Sequence, residues 1–296
     1  MSAGQIIEVS NPAYLKTGKK QLCIEQQGGI VASIPFEDLQ AILLSHPQIT
    51  VSVGVLQQCI DNNLPLIVCD KKYLPCGFLH APLTNSLHTK ILRFQVSAKL
   101  PVKKQIWKSV VQVKIDHQAD LLEIKGKSSH RLRVLRSKVR SGDPDNIEAQ
   151  AANDYWKELF GSHFRRDQKA EGINSMLNYG YALIRAATAR ALAGSGLNTA
   201  LGLFHRNQYN HYCLADDLME VIRPLVDAKV YDLFGEKILD LDFKAKREML
   251  SLLQSEVQFS EQCYYLAHGL QRSSASLVLA LQNHDPRLFQ SVRIIL

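Results

Sequence analysis

The hydrophobic pattern of the chain changes early along its length, and this change limits the folds that it can adopt. Up to about Pro82, short apolar runs alternate with turn residues, which is typical of β-strands. Beyond Pro101, apolar residues recur over long segments with the period of an amphipathic α-helix. We therefore predict an α+β protein with a small N-terminal β-rich domain (residues 1–84), a connecting helix or linker (85–100) and a larger all-α domain (101–296).

Local signals place several elements within this frame. Residues 21–25 and 30–34 flank Gln26-Gln27-Gly28-Gly29, where glycine supplies the positive φ angles of a hairpin turn. The first domain is also predicted to contain strands at residues 42–44 and 66–69, with a short helix through residues 55–60 that opens at Thr50 or Ser52. In the second domain, helices are predicted at residues 106–122, 146–159, 173–193, 215–226, 244–254 and 260–282.

Length and composition exclude several classes of protein. The 296 residues suffice for one large or two modest domains, and 46% hydrophobic against 21% charged residues excludes an extensively disordered chain. The N-terminus lacks the pattern of a secretory signal, and polar residues interrupt the longest uncharged run, so no transmembrane segment is expected. Six cysteines without a C-x-x-C pair indicate reduced thiols, and we expect a cytoplasmic protein.

Positive charge is concentrated in two stretches that contain no acidic residue, residues 71–115 and 125–140, in a chain of net charge +7. Each stretch alone is compatible with a solvated basic face. Together, beside a candidate acidic metal site, they favour contacts with the phosphates of nucleic acid. The candidate DNA contacts are Lys103, Lys104, Lys108, Arg131, Arg133, Arg136, Lys138 and Arg140.

Three acidic residues and one histidine form a candidate catalytic set. Glu148 follows a turn-like segment and is expected in the first turn of a helix, where the helix dipole alone could also favour a carboxylate. His205 follows the glycine-rich segment 194–202 and is expected on a loop. Asp217 and Glu220 are three residues apart, so both lie on one helix face, which could equally be a solvated acidic surface.

A set of two carboxylates and one imidazole suits a hard divalent cation, Mg²⁺ or Mn²⁺, that keeps open positions for a phosphate. Such an ion could activate a phosphodiester toward water or a DNA 3′-hydroxyl. The sequence contains no nucleotide-binding P-loop, zinc-protease motif or serine-hydrolase elbow, so it indicates no competing chemistry.

Four segments carry a resemblance to a known family. They are S-G-D-P-D-N-I-E-A-Q-A-A-N-D-Y-W (141–156), G-I-N-S-M-L-N-Y-G-Y-A (172–182), H-R-N (205–207) and L-A-D-D-L-M-E-V-I-R-P (214–224). In this order they resemble the larger of the two universal subunits of CRISPR adaptation, the integrase that inserts new spacers. The sequences of these segments are most similar to the type II variant, and the similarity extends over essentially the whole chain.

The resemblance implies an architecture and a set of partners. It implies a β-domain followed by an α-helical catalytic domain, and a homodimer formed through the small domain. Two such dimers are expected to bind a dimer of the small ferredoxin-like adaptation partner, giving a heterohexamer that acts on double-stranded DNA. The type II effector nuclease is a further candidate partner.

The resemblance also implies roles for individual residues. Glu148, His205 and Glu220 match the family's metal ligands and catalytic residues, and Asp217 matches a nearby supporting acid. Asn178 and Tyr179 lie in the L-N-Y-G-Y signature, and we expect them to pack and position the site. Val221 replaces a proline that is usual after the last acid of the D-L-x-E pattern.

These observations predict a metal-dependent DNA integrase in which a 3′-hydroxyl of a short DNA duplex attacks a phosphodiester at the border of a repeat. No ATP is needed, because the new ester replaces the old one. Two alternatives remain open at this point. A structure-selective endonuclease in DNA repair would use the same metal site without a repeat, and a non-catalytic DNA-binding scaffold would use only the basic stretches.

Overall fold

A computed structural model describes residues 4–62, 64–70, 75–79 and 85–296 of the chain. The chain divides into two compact units, Met1–Thr84 and Asn85–Leu296. The first unit is rich in strands and the second is predominantly helical, which confirms the predicted fold class. Lys71 and Lys72, which belong to the first basic stretch, lie outside the described residues.

The first unit contains two four-stranded sheets, one α-helix and one short 3-10 helix (Phe36–Asp38) among its described residues. The strand orders are β1-β5-β7-β8 and β4-β3-β2-β6. The elements are β1 (Gln5–Val9), β2 (Ala13–Gly18), β3 (Gln21–Gln26), β4 (Gly29–Pro35), β5 (Leu39–Leu44), β6 (Ile49–Val51), α1 (Val53–Asp61), β7 (Leu66–Cys69) and β8 (Pro75–Leu79).

The predicted hairpin is confirmed by the antiparallel pairing of β3 with β4. Gln27 and Gly28 between the strands have φ angles of 50° and 81°, which a two-residue turn with primed geometry requires. Residues from both sheets and from α1 form one apolar core, in which Leu15, Ile42 and Val55 are fully buried. The predicted strands at residues 42–44 and 66–69 and the short helix after Ser52 are also confirmed.

The second unit is built on helices. They are α2 (His88–Ser97), α3 (Leu100–Ile124), α4 (His130–Lys138), α5 (Ile147–Phe160), α6 (Ile173–Gly194), α7 (Cys213–Met219), α8 (Arg223–Gly235), α9 (Phe243–Ser251) and α10 (Leu266–Asn283). Three short strands, β9 (Glu256–Phe259), β10 (Gln262–Tyr265) and β11 (Arg293–Ile294), form a sheet of order β10-β9-β11.

The helices α3 and α6 lie at the centre of this unit. α3 packs against α4, α5, α7 and α8, and α6 packs against α7, α8, α9 and α10. A side chain on Gly180 of α6 would approach Val226 Cγ1 of α8 to 2.4 Å, so glycine permits the close contact of these two helices. No described helix is both long and apolar enough to span a membrane.

Three features of the second unit differ from the sequence predictions. The segment 215–226, predicted as one helix, is interrupted between α7 and α8, because Pro224 in the first turn of α8 has no N–H for a continuous helix. The segment 260–282 begins with the second strand of a β-hairpin, and its helix starts only at Leu266. The helix α4 and the small sheet were not predicted.

Candidate functional site

Glu148 and Glu220 meet around one buried ammonium group. Lys114 of α3 donates a hydrogen bond to Glu148 Oε1, and its Nζ lies 2.5 Å from Glu220 Oε2. The Glu220 and Lys114 side chains are only 5% and 6% exposed, whereas that of Glu148 is 22% exposed. The fold thus brings together two acids that are 72 positions apart in the sequence (220 minus 148).

Asp143 holds Glu148 in place. Its carboxylate accepts hydrogen bonds from the backbone N–H groups of Ile147 (2.9 Å) and Glu148 (3.0 Å) at the start of α5. These are donors that a helix leaves without internal partners, so Asp143 caps α5 from outside the helix. Glu148 occupies the first turn of α5, as predicted.

Glu220 lies at the break between α7 and α8. Arg223 forms an ion pair with Glu220 Oε1 at 3.0 Å and stacks over the Tyr181 ring at 4.8 Å. Burial by itself would raise the pKa of Glu220, but Arg223 and Lys114 hold that pKa below its ordinary value. Lys114 likewise remains charged, because Glu220 and Glu148 outweigh the effect of its burial and raise its pKa.

His205 is held by Asp217. The His205 Nδ1–H donates to Asp217 Oδ1 at 2.6 Å, and the same carboxylate accepts from the backbone N–H groups of Leu203 (2.6 Å), Phe204 (3.0 Å) and His205 (3.2 Å). Asp217 is fully buried. The hydrogen bond to Asp217 is the main cause that raises the pKa of His205, and the Glu220 carboxylate also contributes. Asp217 therefore organises the loop and the ring together.

The loop before His205 requires a glycine. A Cβ on Gly202 would lie 2.4 Å from the His205 backbone oxygen and 2.9 Å from Asp217 Oδ2. Both atoms belong to the hydrogen-bonded turn around Asp217, so a side chain at this position would displace the turn.

The four predicted site residues therefore form two neighbouring groups. Glu148 and Glu220 share Lys114, whereas His205 pairs with Asp217. Within the described part of the chain, no three His, Cys, Asp or Glu side chains are grouped closely enough to hold a metal ion. The Glu220 carboxylate is one of the smaller causes that raise the pKa of His205.

Asn178 and Tyr179 take different positions on α6. Asn178 Oδ1 accepts a hydrogen bond from Arg166 at 2.5 Å, and its Nδ2 donates to the Gln168 carbonyl at 2.8 Å, so it anchors the segment before α6. Tyr179 is fully buried. The role of either residue in positioning the site stays a prediction.

The sequence analysis missed a buried cluster beneath Arg223. The hydroxyl groups of Tyr155 and Tyr181 both donate hydrogen bonds to Asp227. Burial is the main cause that raises the pKa of Asp227 to about 7. Tyr181 lies in the L-N-Y-G-Y signature, and this is the sequence signal that could have pointed to the cluster. The pairing of Tyr181 with Asp227 depends on the packing of α6 against α8, which the sequence does not show.

The candidate DNA contacts fall into two classes. Four arginines of the second basic stretch form ion pairs with acids of this unit: Arg131 with Asp154, Arg133 with Asp120, Arg136 with Asp116 and Arg140 with Asp145. Lys103, Lys104, Lys108 and Lys138 have no ion pair with any acidic residue that the structure describes. The lysine charges are thus not compensated by a described acid, and a role of either set in DNA binding stays a prediction.

Comparisons with known proteins identify the family of the chain. A model of the family described as "CRISPR associated protein Cas1" matches residues 7–258. A CRISPR-associated endonuclease Cas1 from Neisseria meningitidis serogroup C (strain 8013) is 36% identical over 258 residues, which cover 86% of this chain and 84% of the relative. A second such endonuclease, from Pyrobaculum aerophilum, is 25% identical and covers 94% and 99% of the two chains.

Solved structures share the fold. A Cas1 protein from Thermotoga maritima aligns with a TM-score of 0.76 at 14% identity, covering 94% of this chain and 97% of that one. A casposase bound to an integration product aligns with a TM-score of 0.76 at 19% identity, covering 94% of this chain and 90% of the casposase chain. A chain of a Cas6-RT-Cas1–Cas2 complex aligns with a TM-score of 0.75 at 19% identity. The alignment covers 98% of this chain and 36% of that longer chain. The family match over most of the sequence shows that this chain belongs to the Cas1 family of CRISPR-associated proteins.

Proposed function

We propose that this chain is a metal-dependent DNA integrase and endonuclease of CRISPR adaptation. In the proposed reaction, the 3′-hydroxyl of a short DNA duplex attacks a phosphodiester at a repeat border, and the displaced oxygen leaves as a new 3′-hydroxyl. The observation that carries this proposal is the pair of carboxylates, Glu148 and Glu220, around a buried cation beside the His205–Asp217 pair. Membership of the Cas1 family supports it.

The donor types fit a divalent cation, but in the described arrangement Glu148, Glu220 and His205 are not grouped closely enough to hold one, and Lys114 lies between the two carboxylates. Two carboxylates already enclose one positive charge, and Glu220 Oε2 is buried without a hydrogen bond, although Lys114 Nζ is within ion-pair distance. Because Nδ1 of His205 donates to Asp217, Nε2 is left as the nitrogen that can bind a metal. Glu148, Glu220 and His205 would hold Mg²⁺ or Mn²⁺, which stabilises negative charge that develops on a phosphodiester.

The chain's own residues have further tasks in this proposal. Asp217 fixes the ring orientation and tautomer of His205. The buried Lys114 and the partly exposed Arg223 place two positive charges next to the carboxylates, where they can compensate the charge of an incoming phosphate. No nucleoside triphosphate is required, because one phosphodiester is exchanged for another.

We further propose the assembly that the resemblance implies. A homodimer through the first unit would join the small ferredoxin-like partner and double-stranded DNA, with the type II effector nuclease as a further partner. The DNA-bound casposase and the Cas2-containing complex support binding to DNA and to a second Cas protein. The net charge of +7 and the lysines without ion pairs are consistent with phosphate contacts.

A strand-transfer assay tests the proposal. Purified protein and its small partner are mixed with a 3′-hydroxyl duplex and a supercoiled plasmid carrying the repeat, in Mg²⁺ or Mn²⁺. We expect covalent joining by the wild type, loss of joining with a 3′-phosphate duplex, and loss in Glu148→Ala and His205→Ala. Glu158→Ala is the matched control, since Glu158 is an exposed acid on the same helix as Glu148.

The same assay separates the alternatives. Nicking without joining would favour a repair endonuclease. DNA binding without nicking or joining, equal in all variants, would leave only a DNA-binding scaffold.

A further inference from the structure

Phe204, the residue before His205, is the outer ring of an aromatic stack. Its ring lies on Trp107 with 4.5 Å between the centroids and 2° between the planes. His205 meets both rings nearly at right angles. Trp107 is 1% exposed, whereas Phe204 is 42% exposed. Since Trp107 covers one face of Phe204, the exposed area belongs to the opposite face and to the ring edge.

This stack borders a cavity of about 270 Å³. The cavity is slightly smaller than the roughly 300–1,000 Å³ typical of small-molecule sites, so it suits a single ring system. Trp107 Nε1 is buried and has no hydrogen-bond partner among the described residues. The cavity is lined by Leu100, Lys104, Trp107, Gly142, Leu203, Phe204 and Arg206.

Positive charge surrounds this cavity. Lys104 and Arg206 belong to its lining. Burial lowers the pKa of nearby Lys103, and the charge of Arg206 lowers it further. None of these three cations forms an ion pair with an acidic residue that the structure describes. Like charges held together without a counter-charge favour an anionic ligand.

We propose that this cavity is a nucleobase subsite, which takes one unpaired base of the DNA strand that reaches His205. The base stacks on the open face of Phe204, and the flanking phosphates contact Lys104 and Arg206. An aromatic face and nearby cations together match the two parts of a nucleotide. Because Phe204 directly precedes His205, a bound base places its neighbouring phosphate on the side of the candidate catalytic residues. This inference rests on the proposed function and adds a binding element to it.

The test uses full-length protein and a short duplex with one unpaired 2-aminopurine nucleotide at the 3′ end, in EDTA to prevent chemistry. Stacking on an aromatic ring quenches 2-aminopurine fluorescence. We expect strong quenching with the wild type and with Phe204→Tyr, which keeps the ring. Phe204→Leu should lose most of the quenching. The control is Tyr209→Leu, which removes an 82% exposed aromatic residue outside the cavity and should quench like the wild type.

A second measurement compares affinities. The wild type should bind a duplex with a normal 3′-terminal base about ten-fold more tightly than one with an abasic end, and Phe204→Leu should bind both ends equally. Equal quenching by the wild type and Phe204→Leu, or no discrimination against the abasic end by the wild type, would overturn the subsite. Both readouts are independent of strand transfer, so failure of the proposed reaction and failure of the subsite are distinguishable.

Discussion

The ammonium group of Lys114 lies 2.5 Å from a carboxylate oxygen of Glu220, and both side chains are buried. Lys114 also bonds to Glu148, so one residue of α3 joins acids from α5 and from the α7–α8 junction. Together with Arg223, Lys114 balances the charges of both carboxylates. Lys114 therefore has a structural role in assembling the candidate site, in addition to its proposed role toward phosphate.

Replacing Lys114 with Met should destabilise the fold strongly. Removal of one partner leaves the buried Glu220 with less compensating charge, and such changes cost about 3–5 kcal/mol. Urea unfolding measures the loss. Lys108→Met is the matched control, because Lys108 lies on the same helix without an ion pair to a described acid, and its change should be below about 1 kcal/mol. Similar losses in both variants would contradict the role of Lys114.

Divalent metal should offset part of this loss. If Mn²⁺ binds between Glu148 and Glu220, it replaces the missing positive charge in Lys114→Met. The melting temperature of Lys114→Met should therefore rise more with Mn²⁺ than that of the wild type. Differential scanning fluorimetry with and without Mn²⁺ tests this, and removal of the ion with EDTA should reverse the shift. An equal shift in Lys114→Met and in Lys114→Met combined with Glu148→Ala would argue against the site.

Asp217→Asn should loosen the loop that carries His205. The backbone N–H groups of residues 203–205 donate to the two carboxylate oxygens of Asp217. An asparagine side chain has only one oxygen, and its NH₂ group cannot accept from an N–H group. Some of these buried donors would therefore lose their partners. Hydrogen exchange at the amides of residues 203–205 should accelerate by at least about ten-fold, since each lost hydrogen bond is worth about 1–3 kcal/mol. Asp232→Asn, at a mostly exposed carboxylate, should leave these amides unchanged. Unchanged exchange in Asp217→Asn would refute this role.

The stability contribution of Asp227 should depend on pH. Burial raises the pKa of Asp227 from 3.8 in a model carboxyl to about 7 in the folded protein. Between these values the folded state binds more protons than the unfolded state, so this group lowers the free energy of unfolding as pH rises from about 4 to 7. Urea unfolding at pH 5 and pH 8 should therefore show Asp227→Asn gaining stability relative to the wild type at the higher pH. A constant difference would contradict the raised pKa.

Alanine substitutions at two glycines of α6 should have different effects on stability. A Cβ at Gly180 would lie 2.4 Å from Val226, whereas nothing lies within 4 Å of one at Gly194. Gly180→Ala should cost about 1–3 kcal/mol through overpacking. Gly194→Ala should be neutral or stabilising by up to about 1 kcal/mol, because alanine favours a helix. Thermal unfolding of both variants checks the close packing of α6 on α8. Equal changes in stability for Gly180→Ala and Gly194→Ala would contradict this packing.

Much of the local structure follows from the sequence. The Gln27–Gly28 turn, the long helices α3, α5 and α6, and the position of Glu148 in a first helical turn depend on residues that are near one another in the chain. Their periodicity and turn chemistry are therefore visible without coordinates. The hairpin of β9 and β10 was missed because its short apolar run joins directly to that of α10, which makes the two periods hard to separate.

The sequence by itself determined the two-part architecture and the residue types of the candidate site, because these features depend on local hydrophobic patterns and short motifs. Only the tertiary structure decided that Lys114 lies between Glu148 and Glu220, and that Asp217 bonds to the loop of His205. It also decided that the α4 arginines pair with acids of neighbouring helices. These contacts join residues from different elements, and no local pattern records which helix faces meet when the core packs.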